Sequence, residues 1–190
     1  MAMITKNFNK IGFFCDTGIL HGFCKEVDQH HKPCRNLLRN YPPEKYDYFT
    51  CSLVEKELKH QIKNIDKNLP GKKSSDDERL IARKFKRCIK KFLHKLKIFD
   101  AKNKEGLKEL FKSLIVNLQE IMNYRSPNQR NDIEITTNAI LWGYTYNCKF
   151  CCFITVDKID IYDKRNKIYQ IACHFLNSEE PPITIKYIGA

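Results

Sequence analysis

The chain has 190 residues, enough for one well-packed domain and short for two. Its 42% hydrophobic and 12% aromatic content excludes a disordered chain, no apolar run reaches bilayer-spanning length, and Met1 to Lys10 lacks the apolar core of a signal peptide. A soluble, cytoplasmic protein without a membrane partner is therefore expected, and a net charge of +12 from 34 Lys and Arg against 22 Asp and Glu favours nucleic acid as its partner.

The run Ile11 to Leu20 is apolar up to Asp16 and then small, which predicts a buried strand stopping at a carboxylate. In open parallel sheets the ligand crevice lies outside the carboxyl ends of the strands, so Asp16 is a candidate for chemistry; the structural alternative is a helix N-cap. His21 to Arg39 has loose helical spacing and stops at Tyr41-Pro42-Pro43, forming a first crossover. His30, His31 and Cys34 within it have metal-ligand spacing but no second pair to complete four ligands, so helix surface and core is the better reading.

Tyr46 to Cys51 suits a strand, and Ser52 follows as an N-cap with Glu55 at the capping-box position. The helix Ser52 to Asn64 places Val54, Leu58 and Ile62 on one face, with Glu57 at its border, pointing into the same crevice or paired with a lysine in solvent. Leu69 to Glu78 reads as an exposed turn entering a helix capped by Ser75 or Asp76. The following stretch, Arg79 to Phe99, is predicted helical, with Phe85, Ile89 and Phe92 apolar and Arg83, Lys86, Arg87 and Lys90 among a basic face suited to phosphates.

Lys104 to Tyr124 is a second amphipathic helix, Ser126 to Asn131 a turn, and Asp132 the residue that opens a helix over Ile133 to Tyr144. Lys149 to Thr155 is a continuous apolar run typical of a buried parallel strand. It ends in Thr155-Val156-Asp157-Lys158-Ile159-Asp160, repeating the pattern of the opening run. Cys148, Cys151, Cys152, Cys173 and His174 could in principle bind zinc, but a cysteine-lined strand core fits better, and the nine cysteines as a set read as free thiols. Alternation over Ile183 to Ile188, after Pro181-Pro182, predicts a last strand.

Two strand-end acids, Asp16 and Asp157, and two helix-start acids, Glu57 and Asp132, thus recur in β-α alternation. Four carboxylates in one cleft repel one another unless a divalent cation is present, and hard oxygen donors suit Mg²⁺ or Mn²⁺, which makes metal-assisted phosphodiester hydrolysis the natural chemistry. The chain resembles the PIN-domain ribonucleases at four motifs in order: Phe13-Phe14-Cys15-Asp16-Thr17-Gly18-Ile19-Leu20, Cys51-Ser52-Leu53-Val54-Glu55-Lys56-Glu57-Leu58, Asp132-Ile133-Glu134-Ile135-Thr136-Thr137-Asn138-Ala139, and Phe153-Ile154-Thr155-Val156-Asp157-Lys158-Ile159-Asp160.

The resemblance implies a single three-layer α/β/α sandwich on a central, mostly parallel sheet. It implies Asp16, Glu57, Asp132 and Asp157 as catalytic, metal-binding acids with Asp160 as an accessory, Mg²⁺ or Mn²⁺ as cofactor, and RNA as substrate. Thr17 and Thr155 join Arg83, Lys86, Arg87 and Lys90 as expected nucleic-acid contacts. Homodimers are frequent in the family, and an inhibitor protein is a further candidate partner. Gly18 stands where the first motif has Asn, which removes a polar group beside the first acid, and residues 69–99 read as a basic helical insertion. The alternative is a catalytically impaired PIN-like module that binds RNA or a protein. Haloacid-dehalogenase phosphatases, which need a second Asp at position 18, do not fit.

Overall fold

A computed structural model describes residues 7–68, 76–122, 127–146 and 148–189. The opening apolar run becomes strand β1 (Asn7–Cys15), and the other strands are β2 (Asp47–Thr50), β3 (Lys97–Ile98), β4 (Cys148–Thr155) and β5 (Thr184–Tyr187). All four pairings are parallel, in the order β3-β2-β1-β4-β5. Helices α1 (Thr17–Cys24), α2 (His31–Asn40), α3 (Ser52–Asn68), α4 (Asp76–Leu93), α5 (Lys108–Ile121), α6 (Pro127–Thr145) and α7 (Arg165–Leu176) flank it, giving the expected three-layer α/β/α arrangement.

A parallel strand covered on both faces must be apolar, and β1 is so over Ile11 to Cys15. Phe13 stacks on Tyr48 at 5.1 Å and meets Tyr41 on the α2 side, while Phe14 turns the other way to Trp142 of α6 at 5.7 Å. Gly12 lets α6 approach this closely: a Cβ there would lie 2.8 Å from Trp142 Cζ2. The sheet order reverses at β1, because β2 and β3 are added on one side and β4 and β5 on the other. The crevice beyond the carboxyl ends of β1 and β4 is therefore the topological switch point, where an α/β protein binds its ligand.

Several elements differ from the periodicity. The predicted helix Arg79 to Phe99 ends at Leu93, and Lys97 and Ile98 pair with Phe49 and Thr50 at the sheet edge, extended by a Phe99 N–H to Thr50 carbonyl bond of 2.8 Å. Leu96 keeps the helical spacing yet is buried by tertiary packing, so spacing alone cannot mark where the helix stops. His21 to Arg39 is two helices, with the linking His30 amide donating to Asp28 Oδ1 at 2.8 Å. Helix α3 continues to Asn68, and α5 begins at Lys108 after a short turn at Ala101–Asn103, whose Ala101 amide donates to buried Asn138 at 2.8 Å.

Helix α6 begins at Pro127, so Asp132 lies inside it and does not cap it, and Pro127 to Asn131 are not a turn. Proline suits a first helical position because its missing N–H would have no intrahelical acceptor there. The Ser52 amide and hydroxyl both donate to Asp100 Oδ1 at 2.9 Å, while Glu55 pairs with Lys59 at 2.7 Å. A carboxylate distant in sequence thus serves the start of α3, where a local capping box is expected. Helix α7 occupies a stretch for which the sequence analysis predicts no element. Met1 to Lys6, residues 69–75 and Ser126 lie outside the described residues, and Asp76 to Glu78, expected to end the turn begun at Leu69, are already the first turn of α4. Among the described residues no helix is long and apolar enough to cross a membrane.

Candidate functional site

Asp16 follows β1 directly, with its own amide still bonded to the Ile154 carbonyl of β4 at 3.4 Å. Its backbone remains extended, so its side chain turns back over the first turn of α1 and Oδ1 accepts from the Ile19 amide at 2.7 Å. Oδ2 accepts from the Thr155 hydroxyl and from the Val156 amide at 3.3 Å. The cap and the strand-end carboxylate are one residue with one oxygen for each role. Asp16 is only 7% exposed, and burial drives its carboxyl up to about 6 against the three hydrogen bonds that favour the charged form, with Asp157 adding to the rise.

Thr155 links the two strand-end acids: its hydroxyl donates to Asp16 and accepts from the Asp157 amide at 2.9 Å. Asp157 caps the next turn, a short π-helical segment Lys158–Tyr162, by accepting from the Asp160 amide at 2.8 Å. Asp160 is held by Lys164, 2.9 Å away. Glu57, on α3, takes the Thr17 hydroxyl on Oε2 and the Asn131 amide on Oε1 at 2.5 Å, so it ties α1 to α6.

Asp132 completes the group. Its carboxyl is pushed up to about 7, first by burial and then by the charges of Asp157, Asp16, Glu57 and Asp160 in that order. The charges of the other four sequence-predicted acids, from the ends of β1 and β4 and from α3, thus reach Asp132 on α6. Among the described residues no three His, Cys, Asp or Glu side chains are gathered closely enough to hold a metal as they stand. This includes His30, His31 and Cys34; His31 Nδ1 bonds the Gly22 carbonyl at 2.8 Å, and Cys34 is buried. Cys151 and Cys152 lie buried in β4.

The basic candidates belong to a different part of the molecule. Helix α4 packs Phe85 and Ile89 inward, against α1 and α3, and leaves Arg83, Arg87 and Lys90 exposed and Lys86 half-buried. The shifts of Asp16 and Asp132 trace to burial and to other carboxylates, not to these cations.

Two residues outside the expected set take part. Asn131, a turn residue by composition, stands one position before Asp132 on the same helix and reaches Glu57. Lys164 is four residues beyond Asp160, a spacing that would have signalled the ion pair. Gly18 is explained by packing, since a Cβ there would fall 2.3 Å from Val156 Cγ2 and 3.6 Å from Asp16 Oδ1. No protein-family model matches the chain, and comparison with curated proteins and with solved structures gives no match.

Chemically, the group combines hard oxygen donors with two acids whose charge is disfavoured by their surroundings. Such a set can bind a divalent cation or exchange a proton near neutral pH.

Proposed function

We propose that the chain is a metal-dependent ribonuclease of the PIN type that hydrolyses RNA phosphodiester bonds in the cytoplasm. The observation that carries this reading is Asp132, driven to about 7 by burial and then by four other carboxylates beside the switch point of a parallel sheet. Negative charge gathered in this way in a chain of net +12 fits a divalent cation, and hard oxygens select Mg²⁺ or Mn²⁺. Asp16, Glu57, Asp132 and Asp157 would hold it, with Asp160 accessory. When bound, the cation supplies an acidified water and offsets charge on the phosphate.

The chain's own residues prepare the rest. Thr155 and the Ile19 and Val156 amides fix the Asp16 carboxylate, and Thr17 and Asn131 fix Glu57, so binding a cation would draw these acids away from their present partners. Asp132, raised by burial and by its acidic neighbours, would ionise fully once a cation offset their charge. Thr17 and Thr155 border the acids, and Arg83, Lys86, Arg87 and Lys90 would hold the RNA backbone.

One observation favours a second reading, an RNA-binding module that does not cut. Both Glu57 oxygens and one Asp160 oxygen are engaged by the protein's own groups. Calorimetric titration of Mn²⁺ into the protein, with cleavage of a mixed panel of labelled RNAs in Mn²⁺, Mg²⁺ and chelator, separates the two. A nuclease binds Mn²⁺ and cuts in a metal-dependent way, and Asp16→Asn loses both. RNA binding that is indifferent to chelator, with no Mn²⁺ heat, supports the module.

A further inference from the structure

Strand β4 leaves the sheet through the π-helical turn Lys158–Tyr162, a conformation that is rare in proteins and frequent at functional sites. Two acids of the candidate site belong to it, Asp157 as its cap and Asp160 within it. Between them Ile159 is 73% exposed, more than any other large hydrophobic side chain among the described residues. Ile161, at 1% exposure, fastens the turn to the core. Core packing thus accounts for Ile161 and leaves Ile159 unexplained.

Tyr162 ends the turn in a stack. The guanidinium carbon of Arg165, the first residue of α7, lies 4.2 Å from the centre of its ring, and Arg165 Nη1 donates to the Tyr162 carbonyl at 3.0 Å. The ring of Tyr187, the last residue of β5, stands 5.6 Å from that of Tyr162, tilted by 35°. Tyr187 is in register with Thr155, whose hydroxyl donates to Asp16, so the stack borders the acids one strand over. Gly189 packs so closely on the Tyr187 ring that a Cβ would not fit, which closes that side. Tyr162, Arg165 and Tyr187 are all half-buried. Lys164 is paired with Asp160, but among the described residues its neighbour Arg165 pairs with no carboxylate. The far face of the guanidinium and its other N–H groups are therefore available to a ligand.

We propose that the Tyr187–Tyr162–Arg165 stack and Ile159 form a platform for one unpaired base of a single-stranded RNA, held beside the acids. Every base has a flat π face that stacks on aromatic rings and on guanidinium planes. Arg165, kept flat by the Tyr162 ring and carbonyl, takes the base on its far face, and its remaining N–H groups meet the adjoining phosphate. Ile159 supplies apolar contact to the base, and the exposed Lys158 beside it adds charge for the backbone. In an RNA duplex each base is already stacked and paired, so the platform selects single strands. The platform rests on the ribonuclease reading for its ligand, RNA, but does not require that the RNA be cut.

The test uses the intact chain in chelator and low salt, with a labelled RNA about ten nucleotides long, single-stranded or annealed to its complement. Arg165→Lys keeps the charge and loses the flat face, and it should weaken single-strand binding by ~10-fold while changing duplex binding by less than ~2-fold. Ile159→Ser, at a position too exposed to disturb folding, should weaken the single strand by ~3-fold. Tyr162→Phe, which keeps the ring, should bind like the wild type. In the wild type, a 5-iodouridine strand irradiated on the protein should cross-link within residues 158–165 or at Tyr187, as mapped by mass spectrometry, which decides the matter even if a variant folds poorly. Single-strand affinity unchanged in either Arg165→Lys or Ile159→Ser overturns the platform, as do equal losses for strand and duplex, absence of single-strand binding, or cross-links confined to other segments. Stacking without any cleavage in Mn²⁺ would instead support the platform and remove the ribonuclease reading alone.

Discussion

At the carboxyl ends of β1 and β4, Asp16 and Asp132 face other acids, whereas Glu44 and Glu109 elsewhere on the chain each face a lysine. Lys95 lies 2.7 Å from Glu44 and Lys112 lies 2.8 Å from Glu109, and both pairings hold those carboxyls below their usual range. Asp16 and Asp132 move the opposite way, to about 6 and about 7. With 34 Lys and Arg available, pairing is the easy outcome for a carboxylate in this chain. The acids at the strand ends are kept from it by burial and by backbone amides and hydroxyls that direct them into the cleft. The basic helix α4 shows the complementary design, since its charges face solvent and its hold on the fold is apolar.

Removing the apolar hold is the harshest way to break this comparison. Ile89 is 1% exposed and lies against Leu20 of α1 and Leu58 of α3, so Ile89→Ala should cost about 2–4 kcal/mol in urea unfolding. A cost well below that would mean that α4 is held by something other than this seam.

Asp132→Asn probes the acid side with the opposite sign. In chelator at pH 8 the wild type must hold Asp132 ionised among its neighbours, so the neutral variant should be more stable by about 1–3 kcal/mol while losing Mn²⁺ binding. The pH dependence follows from the same shifts. Both folded values lie above the ordinary aspartate value of 3.8, so the folded state binds the protons more tightly than the unfolded chain. The contribution of these two groups is fully present below about pH 4 and is lost as pH rises through 6 to 7. Denaturant midpoints from pH 4 to 8 in chelator should show this decline, flatter in Asp132→Asn; identical profiles would contradict the crowding of charge.

Gly18→Asn restores the side chain of the resembled motif and should cost about 1–3 kcal/mol, because its Cβ meets Val156. Combining it with Val156→Ala should recover most of the loss, and a double-mutant cycle measures how much.

The smallest effect on stability belongs to the charges of α4. Replacing Arg83, Arg87 and Lys90 together by alanine should change unfolding by no more than about 0.5 kcal/mol, since all three are exposed. The same variant should weaken RNA binding and lower the salt slope of affinity by about 2–3. An unchanged slope would remove α4 from the RNA contact surface.

What the sequence determined by itself is whatever is local and periodic. The apolar run ending at Asp16, its recurrence at Asp157 and the helical spacing about Val54, Leu58 and Ile62 follow from neighbours in the chain, and they point to the α/β class and to Asp16, Glu57 and Asp157; Asp132 enters as a helix start, which it is not, and Asp160 only through the resemblance. Three things came only from the tertiary structure. Leu96 continues a helical stripe, but the edge of β2 offers Lys97 and Ile98 hydrogen-bond partners that spacing cannot reveal. Asn131 reads as a turn residue until α6 starts at Pro127 and brings its amide to a glutamate 74 residues away. The shifts of Asp16 and Asp132 depend on desolvation and on charges from four elements, and a linear chain contains neither until it is packed.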